Sequence, residues 1–183
     1  MADTTNISQA DLTRLCVRLL EAASVPSGDV RICVDIQIEA DLRGIHSHGT
    51  RGIVGYIRQI LNSEIKPKPE ITAVREGPAY AHIDGDSGLG QVVSHHPNRI
   101  AIQKAKASGV GLKHARNSNH YGAAAAYYAA MSALADVIGF NCIGSRRLSG
   151  NMTALGSIDP VLGNNPLAYG LQQLESLAEE LGC

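Results

Sequence analysis

One short stretch of the sequence, DLRGIHSHGTRGIVGYIRQI, interrupts a hydrophobic helical pattern with side chains that can do chemistry. Its reactive members are His46, Ser47, His48, Arg51 and Tyr56. An imidazole titrates near pH ~6.5 and can donate or accept a proton at neutral pH. An arginine fork with nearby hydroxyl groups suits a carboxylate. A loop that served only as a connection would need glycine and none of these groups, so the stretch predicts a site.

A second segment, ARNSNHYGAA, places His120 after a predicted strand and before an alanine-rich helix. Strand-to-helix junctions are positions at which side chains and helix N-termini meet ligands, so we expect His120 to belong to a site. By contrast, His46 is predicted to be only a neighbour of the reactive groups. The pair His95 and His96, beside Pro97, is predicted to lie at the surface.

A glycine-rich segment, DGDSGLGQVV, invites comparison with a dinucleotide-binding fingerprint. Gly88 and Gly90 supply the first two glycines, but Val93 stands at the third position. The fingerprint also needs an acidic residue about 20 residues further on, and residues 87–135 contain neither Asp nor Glu. The segment therefore predicts a glycine turn that leads into a helix, and no Rossmann fingerprint.

The same acid-free stretch carries only positive charge. Its cations are Arg99, Lys104, Lys106, Lys113 and Arg116. Such a concentration in a chain of balanced charge predicts an anionic ligand, either a pyrophosphate or a carboxylate. For Lys104 and Lys106, an ordinary exposed helix face is an equally good interpretation.

Periodicity predicts the helices that hold the first stretch. The first helix is capped by Ser8 and has one apolar face, formed by Leu12, Leu15, Leu19 and Ala23. A second segment begins with Ser27 as a possible cap. Its pattern fits a helix and also a strand, and the Ala-Asp-Leu run at its end favours a helix. A third helix is expected over roughly residues 48–63.

After these helices the pattern changes to that of a mixed α/β protein. A β-hairpin is expected around Gly77 and Pro78, and a helix that ends at Gly109 should follow it. The segments VGLKHARNS, GAAAAYYAAMSALA and DVIGFNCIG predict a strand, a helix and a buried strand. The predicted fold class is therefore α/β, with helices first, then a hairpin, then β-α-β-α-β units.

Composition excludes several functional classes. The 183 residues are 44% hydrophobic and carry 16 basic and 17 acidic residues, a net charge of −1. This balance, with no Trp and one Phe, argues against nucleic-acid binding. No apolar run approaches the ~20 residues of a membrane helix, and the start is polar, unlike a signal peptide. Four widely spaced cysteines predict reduced thiols and a cytoplasmic location. No zinc site is predicted, because no carboxylate or thiol spacing completes a ligand set with the histidines.

Three motifs in order resemble one family. DLRGIHSHGTRGIVGYI, NSNHYGAAAAYYA and LGNNPLAY are together similar to the malate/L-lactate dehydrogenases that lack a Rossmann fold, over about residues 8–170. Relatives there include ureidoglycolate and sulfolactate dehydrogenases and diketogulonate reductases. The resemblance implies an NAD(P)-dependent homodimer acting on a small 2-hydroxy or 2-keto carboxylate. It also implies residues 1–75 as the helical part of a substrate and dimerisation domain, and 76–170 as part of a cofactor domain.

The resemblance also implies roles for individual residues. His120 is expected to be the proton donor and acceptor, with His48 and Ser47 as orienting or relaying partners, although the reverse assignment of the histidines stays open. Arg51 and Tyr56 are expected to bind substrate. The residues that would contact the cofactor, NAD or NADP, are His120, Ser145 and Asn165.

Two features depart from the family pattern. Arg146 and Arg147 replace the usual proline after the last predicted strand, which leaves the choice between NAD and NADP open. Residues 171–183 read as a short amphipathic helix unlike the family's continuation, so the chain looks truncated. An alternative function is therefore a catalytically silent domain that acts only by association with itself or with a full-length copy.

Overall fold

A computed structural model describes residues 6–122, 125–144, 152–163 and 165–172 of the chain. The chain falls into two compact units, Met1–Ala123 and Ala124–Cys183. The boundary expected at residue 75 lies inside the first unit. Most of the expected amphipathic tail, from residue 173 onward, lies outside the described residues.

The first unit contains four helices and three strands among its described residues. The helices are α1 (Gln9–Ala22), α2 (Ser27–Leu42), α3 (Gly52–Leu61) and α4 (Gly90–Ser108). The strands are β1 (Thr72–Gly77), β2 (Tyr80–Gly88) and β3 (Leu112–Ser118). The expected order of helices, hairpin, helix and strand is confirmed. Within the parts of the chain that the structure covers, no helix is long and apolar enough to cross a membrane.

Helix α1 begins as expected but buries a different face. The Ser8 hydroxyl accepts a hydrogen bond from the backbone N–H of Asp11, which is the expected cap. Leu15 and Leu19, however, are exposed, and α1 buries Cys16 and Leu20 instead. The predicted apolar face was therefore wrong in its centre, because leucines occur on two adjacent faces and packing selects one of them.

Helix α2 is a helix, as favoured, although Ser27 does not cap it. Pro26 occupies the cap position without a side-chain hydrogen bond, and Ser27 is the first helical residue. The buried residues of α2 occur around most of its circumference. They are Val30, Cys33, Val34, Ile36, Gln37, Ile38 and Ala40. A helix that is buried on several faces has a weak amphipathic pattern, which explains why a strand fitted the sequence equally well.

The sheet of the first unit has the order β1-β2-β3. Strands β1 and β2 form the expected antiparallel hairpin, and β2 pairs with β3 in parallel through α4. Helix α4 ends at Gly109, whose φ of 82° is the left-handed conformation that favours glycine at a helix C-terminus. Pro97 lies inside α4 and is buried. His96 is exposed as predicted, whereas His95 is half-buried.

Three of the five cations in the acid-free stretch make contacts within the fold. Lys104 lies 2.8 Å from a Glu76 carboxylate oxygen and donates to the Gly77 carbonyl at 2.7 Å. Lys113 donates to a backbone carbonyl of α4 at 3.1 Å, and Arg116 pairs with Asp84 at 3.1 Å. These contacts attach α4 and β3 to the hairpin, so they do not support an anion site formed by all five cations.

The second unit contains α5 (Ala126–Ala133) and the strands β4 (Gly139–Cys142), β5 (Met152–Thr153), β6 (Pro160–Leu162) and β7 (Leu167–Gly170). Strands β4 and β7 pair in antiparallel register, and both contact α5. Strand β4 is only half-buried, which corrects the predicted buried strand. Gly139 and Asn141 face inward, whereas Phe140 and Cys142 are exposed.

Candidate functional site

Four of the predicted site residues form one connected group in the first unit. Tyr56 Oη lies 2.8 Å from His120 Nδ1, across 64 positions of sequence. The His48 and His120 ring centroids are 5.4 Å apart. Ser47 Oγ lies 2.9 Å from His48 Nδ1. The structure thus brings together the histidine, serine and tyrosine side chains that the two motifs supplied.

The turn that carries Ser47 and His48 is held by Asp41, at the end of α2. One carboxylate oxygen of Asp41 accepts the Thr50 backbone N–H at 2.9 Å and the Thr50 hydroxyl at 2.6 Å. The other lies 3.2 Å from His46 Nδ1. A Cβ on Gly49 would collide with this carboxylate and would displace it from its hydrogen bonds. Asp41 therefore fixes the 3-10 turn His46–His48 between α2 and α3.

Hydrogen bonding controls the charge state of Asp41. Partial burial alone would raise the pKa of its carboxyl group, but the Thr50 hydrogen bonds, followed by the His46 contact, outweigh burial and hold the pKa below its usual value. A depressed folded-state pKa means that the carboxylate contributes stability above its unfolded pKa of ~3.9. That contribution is lost as the pH falls through the lower folded value.

We expect Asp41→Ala to lower the free energy of unfolding by about 1–2 kcal/mol at pH 7, because it leaves the Thr50 donors without their acceptor. Urea denaturation measures the change. Asp35→Ala, at an exposed position of the same helix, is the matched control and should have little effect. The difference between the two variants should shrink below pH ~4. Equal losses in both variants would remove Asp41 as the anchor of the turn.

The loop that carries His120 is attached to the glycine turn between β2 and α4. The Asn119 amide donates to the carbonyl oxygens of Ser87 and Gly88, at 2.9 and 3.0 Å. A Cβ on Gly90 would collide with the backbone carbonyls of Asn119 and His120. The absence of a side chain at Gly90 thus lets the backbone of the His120 loop pack against the glycine turn. This confirms that DGDSGLGQVV forms a glycine turn that leads into a helix.

Tyr56 lies in the core behind His120. Its side chain is buried, and Gln37 Nε2 donates to Tyr56 Oη at 3.3 Å. Burial raises the pKa of Tyr56 to about 12; Cys33 adds to the increase, and hydrogen bonds from Gln37 and Gln91 oppose it. Tyr56 therefore keeps its hydroxyl proton at neutral pH.

His120 combines solvent exposure with a depressed basicity. Burial of part of the ring lowers the pKa of His120 below its ordinary value, and the neighbouring His48 adds a smaller decrease. At neutral pH the imidazole is accordingly mostly uncharged. A neutral imidazole that is held in place and remains accessible can exchange a proton with a bound ligand.

The remaining predicted site residues do not join this connected group in the part of the chain that the structure describes. Arg51 is exposed at the start of α3, and its side chain has no hydrogen bond or ion pair with any described residue. Asn165 is exposed and donates to the Gly163 carbonyl at 3.2 Å. Ser145, Arg146 and Arg147 lie outside the described residues.

Sequence reasoning missed three polar residues that build the site: Gln37, Asp41 and Asn119. Asp41 and Asn119 lie within or beside the quoted motifs, so their proximity to the histidines was a usable signal. Gln37 gave no such signal, because a single glutamine in a helix is usually exposed.

Comparisons of the sequence and of the fold with known proteins identify a family. The sequence pattern of the malate/L-lactate dehydrogenase family matches residues 7–176. Malate dehydrogenase of Pyrococcus horikoshii is 45% identical over 152 residues, which cover 83% of this chain and 41% of that protein. A solved structure of malate dehydrogenase from P. horikoshii OT3 matches with a TM-score of 0.87 at 41% identity, covering 93% of this chain and 48% of the other.

Two further relatives have different names. L-sulfolactate dehydrogenase of Methanocaldococcus jannaschii is 40% identical over 159 residues, covering 87% of this chain and 45% of that protein. Ureidoglycolate dehydrogenase (NAD(+)) of Escherichia coli K12 is 28% identical over 163 residues, covering 89% and 46%. The chain spans about half the length of these relatives. Since the family pattern covers nearly all of its residues, the chain belongs to the malate/L-lactate dehydrogenase family.

Proposed function

We propose that the protein is an NAD(P)-dependent oxidoreductase that transfers a hydride between a nicotinamide and a small 2-hydroxy or 2-keto carboxylate. The observation that carries the proposal is the contact of an accessible histidine, His120, with a buried tyrosine hydroxyl 2.8 Å from its Nδ1. The names of the relatives, which are dehydrogenases of malate, sulfolactate and ureidoglycolate, support the reaction class.

In this reaction the nicotinamide supplies or accepts the hydride, and the protein supplies orientation and a proton. His120 protonates the carbonyl oxygen during reduction and takes the hydroxyl proton during oxidation. Ser47 and His48, hydrogen-bonded to each other beside it, orient the substrate or relay the proton. Because the pKa of His120 is lowered, oxidation should persist below pH ~6.5 and be lost as the pH falls through the lowered value.

The cofactor is proposed from the family. The described residues fit the proton-transfer half of a nicotinamide reaction, because His120 is accessible and partial burial lowers its pKa, which keeps the imidazole neutral at pH 7. Residues proposed to contact the cofactor are His120, Ser145 and Asn165. The name of the E. coli relative favours NAD, and the two arginines after Ser145 keep NADP open. Homodimer formation is proposed from the family resemblance, and a cytoplasmic location from the widely spaced cysteines and the polar start of the sequence.

Fluorescence titration of the purified chain with NADH and with NADPH tests this function. We expect saturable binding of one of them, followed by its oxidation when a small 2-keto acid is added. Absence of binding by both cofactors would overturn the proposal for this chain.

We expect Arg51→Lys to raise the KM for the keto acid about tenfold while the affinity for the cofactor changes little. Lysine keeps the positive charge but loses the bidentate fork that fits a carboxylate. Steady-state kinetics measure both constants. Arg58→Lys, at an exposed position on the same helix, is the control and should leave both unchanged. Equal weakening of substrate and cofactor would make Arg51 a structural residue.

A second candidate function, association without catalysis, is favoured by one surface of the second unit. The outward face of β4 and β7 carries Phe140, Cys142, Leu167 and Tyr169, all exposed. The rings of Phe140 and Tyr169 lie 4.9 Å apart. Exposed apolar clusters of this kind commonly mark interaction surfaces. Sedimentation velocity is expected to show self-association that Phe140→Ser weakens. A monomer at all concentrations would exclude self-association through this surface.

A further inference from the structure

A fully buried amide, Gln37, lies directly behind the tyrosine that contacts His120. Gln37 is at 0% exposure in the middle of α2. Its Nε2 donates to Tyr56 Oη at 3.3 Å. A buried polar side chain in a helix core is costly unless its hydrogen bonds are made, so its orientation is strongly determined by its neighbours.

The hydrogen bonds that connect Gln37, Tyr56 and His120 have defined donors and acceptors. Tyr56 Oη accepts amide hydrogen bonds from both Gln37 and Gln91. With its lone pairs occupied in this way, the phenol proton is left to be donated to His120 Nδ1. The backbone N–H of Gly122 also points at this nitrogen, at 3.4 Å. Two donors that converge on Nδ1 require it to carry the lone pair, so the proton of the neutral ring lies on Nε2.

The backbone at Gly122 fits the same arrangement. Its φ of 65° is a conformation that favours glycine, and a Cβ there would lie 2.6 Å from Gln37 Nε2. Only a glycine at position 122 leaves room for the Gln37 amide, so the backbone of Gly122 and the Gln37 side chain pack directly against each other. Within the described ranges no residue bonds to His120 Nε2, which is the nitrogen left for a substrate.

We propose that Gln37 is a positioning residue that acts through Tyr56 to hold His120 in the Nε2–H tautomer, so that the site presents a hydrogen-bond donor to an oxygen of the bound substrate. The identity of that substrate rests on the proposed function, whereas the tautomer does not. Both the neutral and the protonated ring present N–H at Nε2, which can donate a hydrogen bond to a carbonyl oxygen. When Nε2 gives up its proton, the ring is left with a lone pair there, and the same ring takes the proton back in the reverse reaction, so the tautomer favours neither direction.

The tautomer is measured by nitrogen NMR of the full chain labelled with ¹⁵N-histidine, without cofactor or substrate. His120 is assigned by comparison with His120→Gln. We expect Nδ1 to resonate as an unprotonated nitrogen and Nε2 as a protonated one. A proton found on Nδ1 in the wild-type chain would overturn the proposal outright.

Gln37→Glu tests whether residue 37 sets this direction. A carboxylate accepts a hydrogen bond from the Tyr56 hydroxyl group. His120 Nδ1–H should then donate a hydrogen bond to Tyr56 Oη. We expect the neutral tautomer to switch to Nδ1–H, and the pKa of His120 to rise wherever the introduced carboxylate is ionised. Gln103→Glu, at an exposed position on α4, is the control and should change neither.

Gln37→Met keeps the test decisive if the glutamate variant does not fold. It removes one of the two amide donors to Tyr56 Oη at nearly the same volume and leaves Gln91 in place. The lone pair that it frees can accept Nδ1–H, so a measurable population of the Nδ1–H tautomer should appear. An unchanged tautomer ratio in a folded Gln37 variant would show that Gln37 is only a packing residue. Since neither measurement uses a cofactor, failure of NADH binding would contradict the proposed function and leave the tautomer result intact.

Discussion

Replacing His120 with alanine is expected to lower the rate of hydride transfer by roughly 10²–10⁴, the usual loss when a general acid or base is removed. The expectation follows from the position of His120, the one member of the connected group that is both exposed and bonded to the buried tyrosine. Single-turnover oxidation of bound NADH by a small 2-keto acid measures the chemical step without contributions from product release.

His48→Ala, made in parallel, decides which histidine carries the proton. The ring of His48 lies 5.4 Å from that of His120 and is paired with Ser47, which suits an orienting role and a smaller loss. His96→Ala, at an exposed position on α4, controls for the removal of an imidazole as such. A rate for His120→Ala within a few-fold of the parent would exclude His120 from proton transfer, and a larger loss for His48→Ala would reverse the assignment.

The elements of the fold were predictable where local chemistry alone determines them. The Ser8 cap, the hairpin at Gly77 and the end of α4 at Gly109 follow from a side-chain acceptor, a turn sequence and a left-handed conformation. Each depends on a few neighbouring residues. The sequence therefore contained enough information to place them.

The buried face of α1 and the nature of α2 were harder to predict, because both depend on contacts between elements. In α1, Leu19 and Leu20 are adjacent in sequence, and only packing decides that Leu20 is buried. In α2, burial on several faces removes the alternation of polar and apolar residues that distinguishes a helix from a strand.

In the candidate site, too, residue types could be predicted from the sequence, whereas contacts between distant residues could not. The reactive residues Ser47, His48 and His120 could be selected by type and by motif resemblance. Their mutual contact spans more than 70 positions, and no periodicity predicts it. Gln37 could not be selected at all, because its importance arises from the hydroxyl that the fold places against it.

Replacing Gly90 with alanine is expected to destabilise the first unit by about 3 kcal/mol, the upper end of the cost of overpacking. Gly90 is the first residue of α4 and is buried. A Cβ there would collide with the carbonyl oxygens of Asn119 and His120. Backbone atoms cannot turn aside as a flexible side chain can, so either α4 or the His120 loop must move.

Gly55→Ala is the matched control for this substitution. Gly55 lies inside α3 with no atom within 4 Å of an added Cβ, so alanine there should stabilise the chain by ~0.5–1 kcal/mol through its higher helix propensity. Urea denaturation of the two variants should therefore give changes of opposite sign. Because the collision is with the His120 loop itself, Gly90→Ala should also disturb the Tyr56–His120 contact, visible as a shift of the His120 ring resonances that Gly55→Ala does not produce. If Gly90→Ala is as stable as the parent and leaves those resonances unchanged, the close approach of α4 to the His120 loop does not hold that residue in place.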